Sequence, residues 1–486
     1  MNIDYSAARA LVDQERRRPN HVCLIDENGR QWRTRDLVAA LRGIAGWLKA
    51  QGIEAGDRVA LVGHNSWRHL ALALACQWIG AAFVPLPVSA TQAERSGMIG
   101  LVTPALVLDQ DTWGSLDAAV DHRPVSFGPR RVGEEIAAVI MTSGSSGAPK
   151  AACLSARALW WANRAFRDGF GYAPREETHL VAAPLSHVGG FNGTTCDVLV
   201  HGGCVVILPR FSVGGVLEAI ANRRVTMMFA VPTMMRALLA SKEFTPERVA
   251  SLRRPLVGGD TLDPELARQA CAVGLRPIHV WGLTETGGAV ACLDPDVARG
   301  RESSVGVAMP GVQLMATAET TTAYRAPKGS SHLWVGGPHL FSGYLDRGTI
   351  TPPRTRSIDG VTWIDTGDVG RIDEEGYVWI DGRANRMIPT GGELVAPAEI
   401  ETALRAIAGI HDVAVVGVPD PYWGHRVAAV VAGNNVPTLA QVRERLGTRL
   451  AGWKLPRSLV VCEKLPTMPG GKTDYAECTR LAAHCD

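Results

Sequence analysis

Lysine is nearly absent from this chain. Positions 49, 150, 242, 328, 454, 464 and 472 hold all seven lysines, against 43 arginines. Generic surface charge is therefore supplied by arginine, and each lysine is a candidate for a specific task. Charge of one sign is also missing: 50 basic and 48 acidic side chains leave a net charge of +2, with no basic run. That balance leaves no electrostatic footprint for nucleic acid or an anionic membrane surface. The ten cysteines are scattered singly, without a CxxC pair, which excludes the usual zinc spacing and a small disulfide scaffold. No long unbroken apolar run exists; residues 70–88 come nearest and are interrupted by Gln77, Pro85 and Pro87, too often to span a bilayer. Met1-Asn2-Ile3-Asp4 offers neither a basic n-region nor an apolar h-region, so no export signal is read and a cytoplasmic protein with reduced thiols is expected. Partners should be small molecules or proteins.

What is present is apolar content: 46% of 486 residues, which excludes disorder and allows about three structural units or one multi-lobed enzyme. Over the first 385 residues short β-branched runs alternate with longer helix-like stretches, the pattern of an α/β fold around a largely parallel sheet. Residues 58–62 and 82–84 read as buried strands flanking a helix over 70–79, with further strands at 137–141, 204–208, 226–230 and 277–280. Between 300 and 380, short strands separated by Gly and Pro turns indicate a small β-rich lobe. The last hundred residues read as a compact α+β module: helix 400–408, strands 413–418 and 427–431, helix 439–450. The chain divides near Asn385, giving domains 1–384 and 385–486.

One segment stands out chemically. Thr142-Ser143-Gly144-Ser145-Ser146-Gly147-Ala148-Pro149-Lys150 follows a strand-like run and precedes a helix-like one. Its hydroxyls and glycine backbone NH groups can converge on phosphate oxygens while the terminal lysine supplies a compact positive charge. A flexible Ser/Gly linker is the competing reading, but a linker has no need of Pro-Lys at its end. It is not a Walker A loop, because Pro149 precedes the lysine and Ala151 follows it. Gly471-Lys472-Thr473 also fails that pattern, with Pro466 where the first glycine belongs.

Together with Ala183-Pro184-Leu185-Ser186-His187, Trp281-Gly282-Leu283-Thr284-Glu285, Thr366-Gly367-Asp368, Gly382-Arg383 through Glu399-Ile400-Glu401, and Gly471-Lys472, this loop resembles the adenylate-forming superfamily of acyl- and aryl-CoA synthetases, peptide-synthetase adenylation domains and luciferases. The six motifs run in the family's order from about residue 20 to 475. The resemblance implies a large N-terminal domain, a small mobile C-terminal domain and an active site between them. It implies that a carboxylate attacks the α-phosphate of ATP to give acyl-AMP and pyrophosphate, and that a thiol then takes the acyl group. Lys472 matches the family's catalytic lysine, suited to charge building on phosphoryl oxygens. Glu285 would hold Mg2+, and Thr284 would hydrogen-bond the adenylate phosphate. Asp368 would accept the two ribose hydroxyls, with Arg383 as second ribose contact. Gly258-Gly259-Asp260 resembles the adenine loop, and Trp281 would stack on the base where tyrosine is common.

His187 resembles a position beside the acyl carboxylate and thiol path. By motif position the acyl pocket draws on His187, Gly190, Phe191, Asn192, Val231, Gly259, Gly282, Leu283, Gly287 and Gly288. None is Arg or Lys, so an apolar acid is expected, aromatic, alicyclic or medium-chain, with the glycines leaving room for a bulky ring. The Phe-Asp-x-Ser pattern of amino-acid-activating relatives is missing. Gly391-Gly392-Glu393 matches the loop lining the pantetheine tunnel of coenzyme A, and Lys454 and Arg457 are candidates for its phosphates. Asn385 matches the hinge, where Asp or Lys is common; Arg386 replaces a frequent Asp. An acid:CoA ligase is the leading expectation. Delivery to a carrier protein is the nearest alternative, and a silent binding protein is opposed by intact Lys150, Thr284, Glu285, Asp368 and Lys472. A homodimer is left open.

Overall fold

The computed structural model describes residues 4–126, 133–143, 149–298, 300–318, 326, 329–390, 393–468 and 472–484. They fall into two compact units, Met1–Gln313 with Gly336–Thr362, and Leu314–Val335 with Trp363–Asp486. No helix among the described residues is long and apolar enough to cross a membrane.

The first unit holds two sheets. In the larger, the strands Ile278–Leu283, Arg254–Gly258, Met227–Ala230, Thr178–Val181, Cys204–Ile207 and Val22–Ile25 lie side by side in that order, all neighbours parallel. Antiparallel strands close its edges, Gly288–Leu293 then Val307–Ala308 on one side and Gln31–Arg33 on the other. The smaller sheet runs Thr349–Thr351, Gly343–Asp346, Pro149–Ser155, Ile136–Ser143, Ala82–Pro87, Arg58–Gly63, Leu106–Leu108, parallel over its last four members. Strands buried on both faces read as unbroken apolar runs; Arg58–Gly63 is buried at every residue after the first. The expected strands at 58–62, 82–84, 137–141, 204–208, 226–230 and 277–280 are all present within a residue or a few of those bounds.

Helix limits follow from local chemistry. Trp67–Ile79 begins after Ser66 and stops at Gly80, whose φ of 82° is a left-handed cap that glycine adopts without strain. Ala156–Phe170 begins with the Ser155 side chain accepting from the Ala158 NH and stops at Gly171 with φ 61°. This second helix is tied down by a buried charge. Asp197, fully buried on the helix Thr195–Val200, accepts from Arg167 Nε at 2.8 Å and from the Tyr172 hydroxyl at 2.7 Å. Burial alone would raise the Asp197 carboxyl, but hydrogen bonds from Arg167 and His201 outweigh it and hold the group below the ordinary carboxylate range. Removing one member of such a pair strands the other, at a cost of about 3–5 kcal/mol.

The second unit carries a sheet of Gln313–Thr317, Ser331–Gly336, Val361–Ile372 and Val378–Arg383. It also carries the C-terminal module, where the hairpin Asp412–Asp420 and Gly424–Ala432 is flanked by Ser458–Cys462, Ile388–Thr390 and Glu393–Val395. Helices Pro397–Arg405 and Leu439–Gly447 cover one face, burying Ile400, Leu404, Val442 and Leu446 with Val413, Val415, Val427 and Val431; Tyr475–Ala483 covers the other. The two helices and two strands expected for this module are thus present, within three residues of their expected bounds, while the strands Ile388–Thr390, Glu393–Val395 and Ser458–Cys462 and the helix Tyr475–Ala483 are additional to that reading.

His69, His179, His279 and His339 are buried in the first unit. Burial pushes His69 and His179 down to about 3, and His279 and His339 down to about 4. The unfolded chain binds these protons near pH 6.5 while the folded chain refuses them. Stability is therefore complete above that value and falls as pH drops toward 4, each histidine contributing up to about 1.4 kcal/mol per pH unit. The urea midpoint is expected to be clearly lower at about pH 5 than at about pH 7.5, a window where carboxylates contribute little. An unchanged midpoint would show that the native protein protonates them.

Candidate active site

The smaller sheet of the first unit sets the phosphate-loop lysine. Ile136–Ser143 and Pro149–Ser155 are antiparallel neighbours, with Thr142 opposite Lys150 and Ser143 opposite Pro149. This corrects the expectation that the loop leads into a helix. Residues 149–155 are instead a second strand, because Ala151, Ala152, Cys153 and Leu154 are all buried in the sheet, and the helix starts only at Ala156. Gly144, Ser145, Ser146, Gly147 and Ala148 lie outside the described residues.

Glu285 is reached from the other sheet. The strand Ile278–Leu283 ends in the single 3-10 turn Thr284–Thr286, followed by Gly287 with φ 68°. The segment 339–344 returns beside this turn, the Phe341 NH donating to the Glu285 carbonyl at 2.9 Å. Tyr344 then joins two sequence-derived candidates. Its hydroxyl donates to Glu285 Oε1 at 2.6 Å, and Lys150 Nζ stands 4.9 Å from the centre of its ring. Cation and carboxylate are thus held by one neutral side chain and do not neutralise each other directly. Sequence reading missed Tyr344, which sits in a run that reads only as a short strand after a Gly-Pro turn. No group of three or more metal-ligating side chains occurs among the described residues. A single carboxylate nevertheless suits Mg2+, which commonly takes one or two carboxylates with the remaining places filled by water and substrate phosphates.

The expected acyl-pocket residues come together only in part. His187, half-buried, precedes the one-turn helix Val188–Phe191, and Asn192 follows it. Asn192 is buried and its Nδ2 donates to the Gly287 carbonyl at 2.7 Å, tying this helix to the Glu285 turn. Phe191 packs against Phe83, ring centres 5.8 Å apart, while Val231 precedes the helix Pro232–Leu239 and Leu283 is buried. The expectation that the glycines leave room for a bulky ring is corrected. A Cβ on Gly190 would lie 2.2 Å from the Pro184 carbonyl oxygen, on Gly282 2.1 Å from that of Gly288, and on Gly288 2.7 Å from the Phe166 ring. These positions are glycine because backbone and aromatic groups already fill the space. Phe229, also missed, occupies the place of a side chain at Gly189, 2.5 Å from where that Cβ would be.

In the adenine segment, Gly258 ends its strand against Val280, Gly259 has φ 84°, and Asp260 is exposed. Trp281 is 8% exposed within its strand and Gly282 is open to solvent.

The second unit assembles the ribose candidates. Asp368 and Arg383 are directly opposed on antiparallel strands, Arg383 Nε 2.8 Å from Asp368 Oδ1 and its Nη1 donating to the Thr366 carbonyl at 2.9 Å. Asp368 is buried, and Gly367, φ 72°, lets the chain turn there. Asn385 lies in the turn Ala384–Arg386. Arg386 is bound to the module beyond it, 3.4 Å from Glu401 and over the Tyr475 ring. Lys472 is exposed, its carbonyl accepting from the Met468 NH beside the bridge between Thr467 and Thr473. Glu393 is exposed opposite Thr390; Gly391 and Gly392 lie outside the described residues. Lys454 is paired with Glu399 at 2.6 Å and Arg457 stacks on Trp423, so a phosphate there would compete with existing partners.

Comparison with known proteins places the chain in a family. Residues 11–345 match the family described as AMP-binding enzyme, and residues 399–472 its C-terminal domain. The chain belongs to that family. It is 32% identical to a feruloyl-CoA synthase of an Amycolatopsis species over 95% of this chain and 96% of that protein, and 31% identical to an indoleacetate–CoA ligase of Aromatoleum aromaticum over 92% of each. The crystal structure of ATP-bound MatB from Rhodopseudomonas palustris superposes with a TM-score of 0.87 at 27% identity, covering 99% of both chains. The protein is an AMP-forming acyl-CoA synthetase that uses ATP to join an acid to coenzyme A.

Replacing Tyr344 with Phe keeps the ring beneath Lys150 and removes the hydrogen bond to Glu285. A hydrogen bond to a charged group is worth about 1.5–3 kcal/mol, so kcat/KM for ATP should fall roughly 10- to 100-fold. Pyrophosphate release across a Mg2+ titration checks this, and an unchanged Mg2+ requirement would separate Tyr344 from Glu285.

Proposed function

We propose that the acid is apolar and aromatic, and that this chain activates it as acyl-AMP before thioester formation. The observation that carries the adenylation step is the meeting of Lys150 and Glu285 on Tyr344. Lys150 faces phosphate oxygens, and the Glu285 carboxylate is the group that would hold Mg2+, whose charge would neutralise the polyphosphate. Thr284, next to Glu285, donates to the adenylate phosphate; Asp368 and Arg383 take the ribose; Gly258, Gly259, Asp260 and Trp281 frame the base. Lys472 brings positive charge to the α-phosphate as the carboxylate attacks and pyrophosphate leaves. His187 stands beside the acyl carboxylate and the path of the incoming thiol.

An apolar acid is supported by the absence of Arg and Lys among the pocket candidates, and an aromatic one by the acids named for the two relatives above. The two half-reactions need different groups at one place, so the module beyond Asn385 swivels between them, presenting Lys472 first and the segment 391–393 second.

Incubating the enzyme with ATP, Mg2+, coenzyme A and a mixed set of carboxylic acids should give AMP and an aryl-CoA mass. Acyl-adenylate without acyl-CoA would move the acceptor to a carrier protein, and an aliphatic product would overturn the aromatic assignment. Lys472→Ala should abolish acyl-AMP formation while largely sparing thioester formation from supplied acyl-adenylate; equal loss of both removes that role. Asn385→Pro should do the reverse, and undiminished thioester formation would displace the hinge.

A further inference from the structure

The segment bearing His187 is held on both sides by buried polar side chains that belong to none of the sequence motifs. Before it stands Asn65, buried just beyond the strand Arg58–Gly63 of the smaller sheet. Its Nδ2 donates to the Ala183 carbonyl at 3.0 Å and the Leu208 carbonyl at 3.2 Å, and its Oδ1 accepts from the Leu185 NH at 2.8 Å. Both amide hydrogens and the oxygen are engaged, so the orientation of the carboxamide is fixed. Ala183 and Leu185 follow the strand Thr178–Val181 and Leu208 follows Cys204–Ile207, both in the larger sheet. One side chain thus pins the two sheets together, two residues before His187. His187 itself donates its NH to the Pro184 carbonyl at 3.1 Å and accepts at its own carbonyl from the Phe191 NH at 2.9 Å.

Behind it, Thr194, Thr195 and His179 are all buried. Thr195 Oγ1 donates to the Gly190 carbonyl at 2.6 Å and lies 3.0 Å from His179 Nε2, while Thr194 Oγ1 lies 3.1 Å from His179 Nδ1. A hydroxyl has a single hydrogen. Thr195 gives its own to Gly190 and so accepts from Nε2–H, which leaves Nδ1 to accept from Thr194. The order runs from Thr194 through His179 and Thr195 to the Gly190 carbonyl, and it uses the neutral imidazole that burial enforces. Placing both hydroxyls on one imidazole strains the main chain. Thr194 has φ 84°, a conformation that suits glycine and costs a β-branched residue about 1–3 kcal/mol. The other described non-glycine residues with positive φ are exposed. Strain in the interior persists only where the surroundings over-determine it, and it clusters at functional sites.

We propose that Asn65 and Thr195, the latter through its bond to His179, are positioning residues for the activation of the acid: they fix Leu185 and Gly190 on either side of His187 and so set where its imidazole meets the acyl carboxylate. This rests on the reading that places His187 beside that carboxylate. Neither residue is required to touch the acid. Both act on the main chain around His187, so that the place of the imidazole depends on them while its chemistry does not, and a misplacement of about 1 Å is enough to slow a reaction roughly a hundredfold.

The test is a double-mutant cycle on the full chain, following acyl-AMP formation with whichever acid of the mixed set gives the most acyl-CoA. Thr195→Val keeps the branched shape and removes the hydroxyl. It should lower kcat/KM for the acid roughly 10- to 100-fold while KM for ATP stays within about twofold, and Thr195→Ser should recover most of the loss. In a His187→Ala background, itself impaired toward the acid, adding Thr195→Val should change kcat/KM by less than about twofold, because the side chain being positioned is gone. A mere loss of stability does not give this pattern, since it lowers every activity together. Asn65→Ala runs the same cycle from the other side and serves if Thr195→Val does not fold. Losses that multiply in the double variants, or that fall equally on ATP, overturn the proposal and leave His187 in its place. A His187→Ala enzyme unimpaired toward the acid would remove the reading of His187, and the positioning role with it.

Discussion

The buried carboxylate of Asp197 is the constraint on which the packing around the Glu285 turn of the first unit depends. Held by Arg167 and Tyr172, it fixes the helix Ala156–Phe170 against the short helices that follow His187. That helix then faces two ways. Ala162 and Phe166 press on Gly287 and Gly288, immediately after the Glu285 turn, while Leu159, Trp160 and Asn163 line a cavity behind Asn192. An exposed ion pair could not hold such an arrangement, because water and salt would compete for both ends. Burial makes the pair costly to form and costlier to break, which suits a fixture better than a contact that must move.

Polar positioning runs on from this fixture. Asn192 reaches Gly287, the Phe341 NH reaches the Glu285 carbonyl, and Tyr344 reaches the Glu285 carboxylate while carrying Lys150 on its ring. Segments far apart in sequence are thus linked around a turn of three residues. The neutral phenol lets two opposite charges stand near each other without forming a salt bridge. In the second unit the corresponding economy is cross-strand pairing: Asp368 and Arg383 face each other because their strands are antiparallel and in register.

Much of this was legible in the sequence for identifiable physical reasons. Buried strands such as Arg58–Gly63 announce themselves as apolar runs, and Gly80 and Gly171 mark helix ends. Lys150, Glu285, Asp368 and Lys472 stood out through residue type and motif order. Pairing geometry was not legible. Residues 149–155 are small and weakly patterned, so only their partner across the sheet shows them to be a strand rather than the start of a helix. Tyr344 could not be linked to Glu285, since 59 residues separate them and neither has a local motif requiring the other. Nor can a sequence say whether a glycine marks open space or a place already taken. At Gly190, Gly282 and Gly288 it is the latter.

That last distinction bears on how this part of the first unit can change over evolutionary time. The ring of Phe229 fills the volume that a side chain at Gly189 would need and also comes near the Cβ position of Gly258. A larger residue at Gly189 collides with the phenylalanine, whereas one at Gly258 meets the side chain and carbonyl oxygen of Val280, and a smaller residue in place of Phe229 opens a void with nothing to fill it. Gly189 and Phe229 therefore form a size-exchange pair in which single steps are penalised and compensated ones are not. Divergence here should proceed by coupled replacement of these two residues, which collections of single substitutions would not sample.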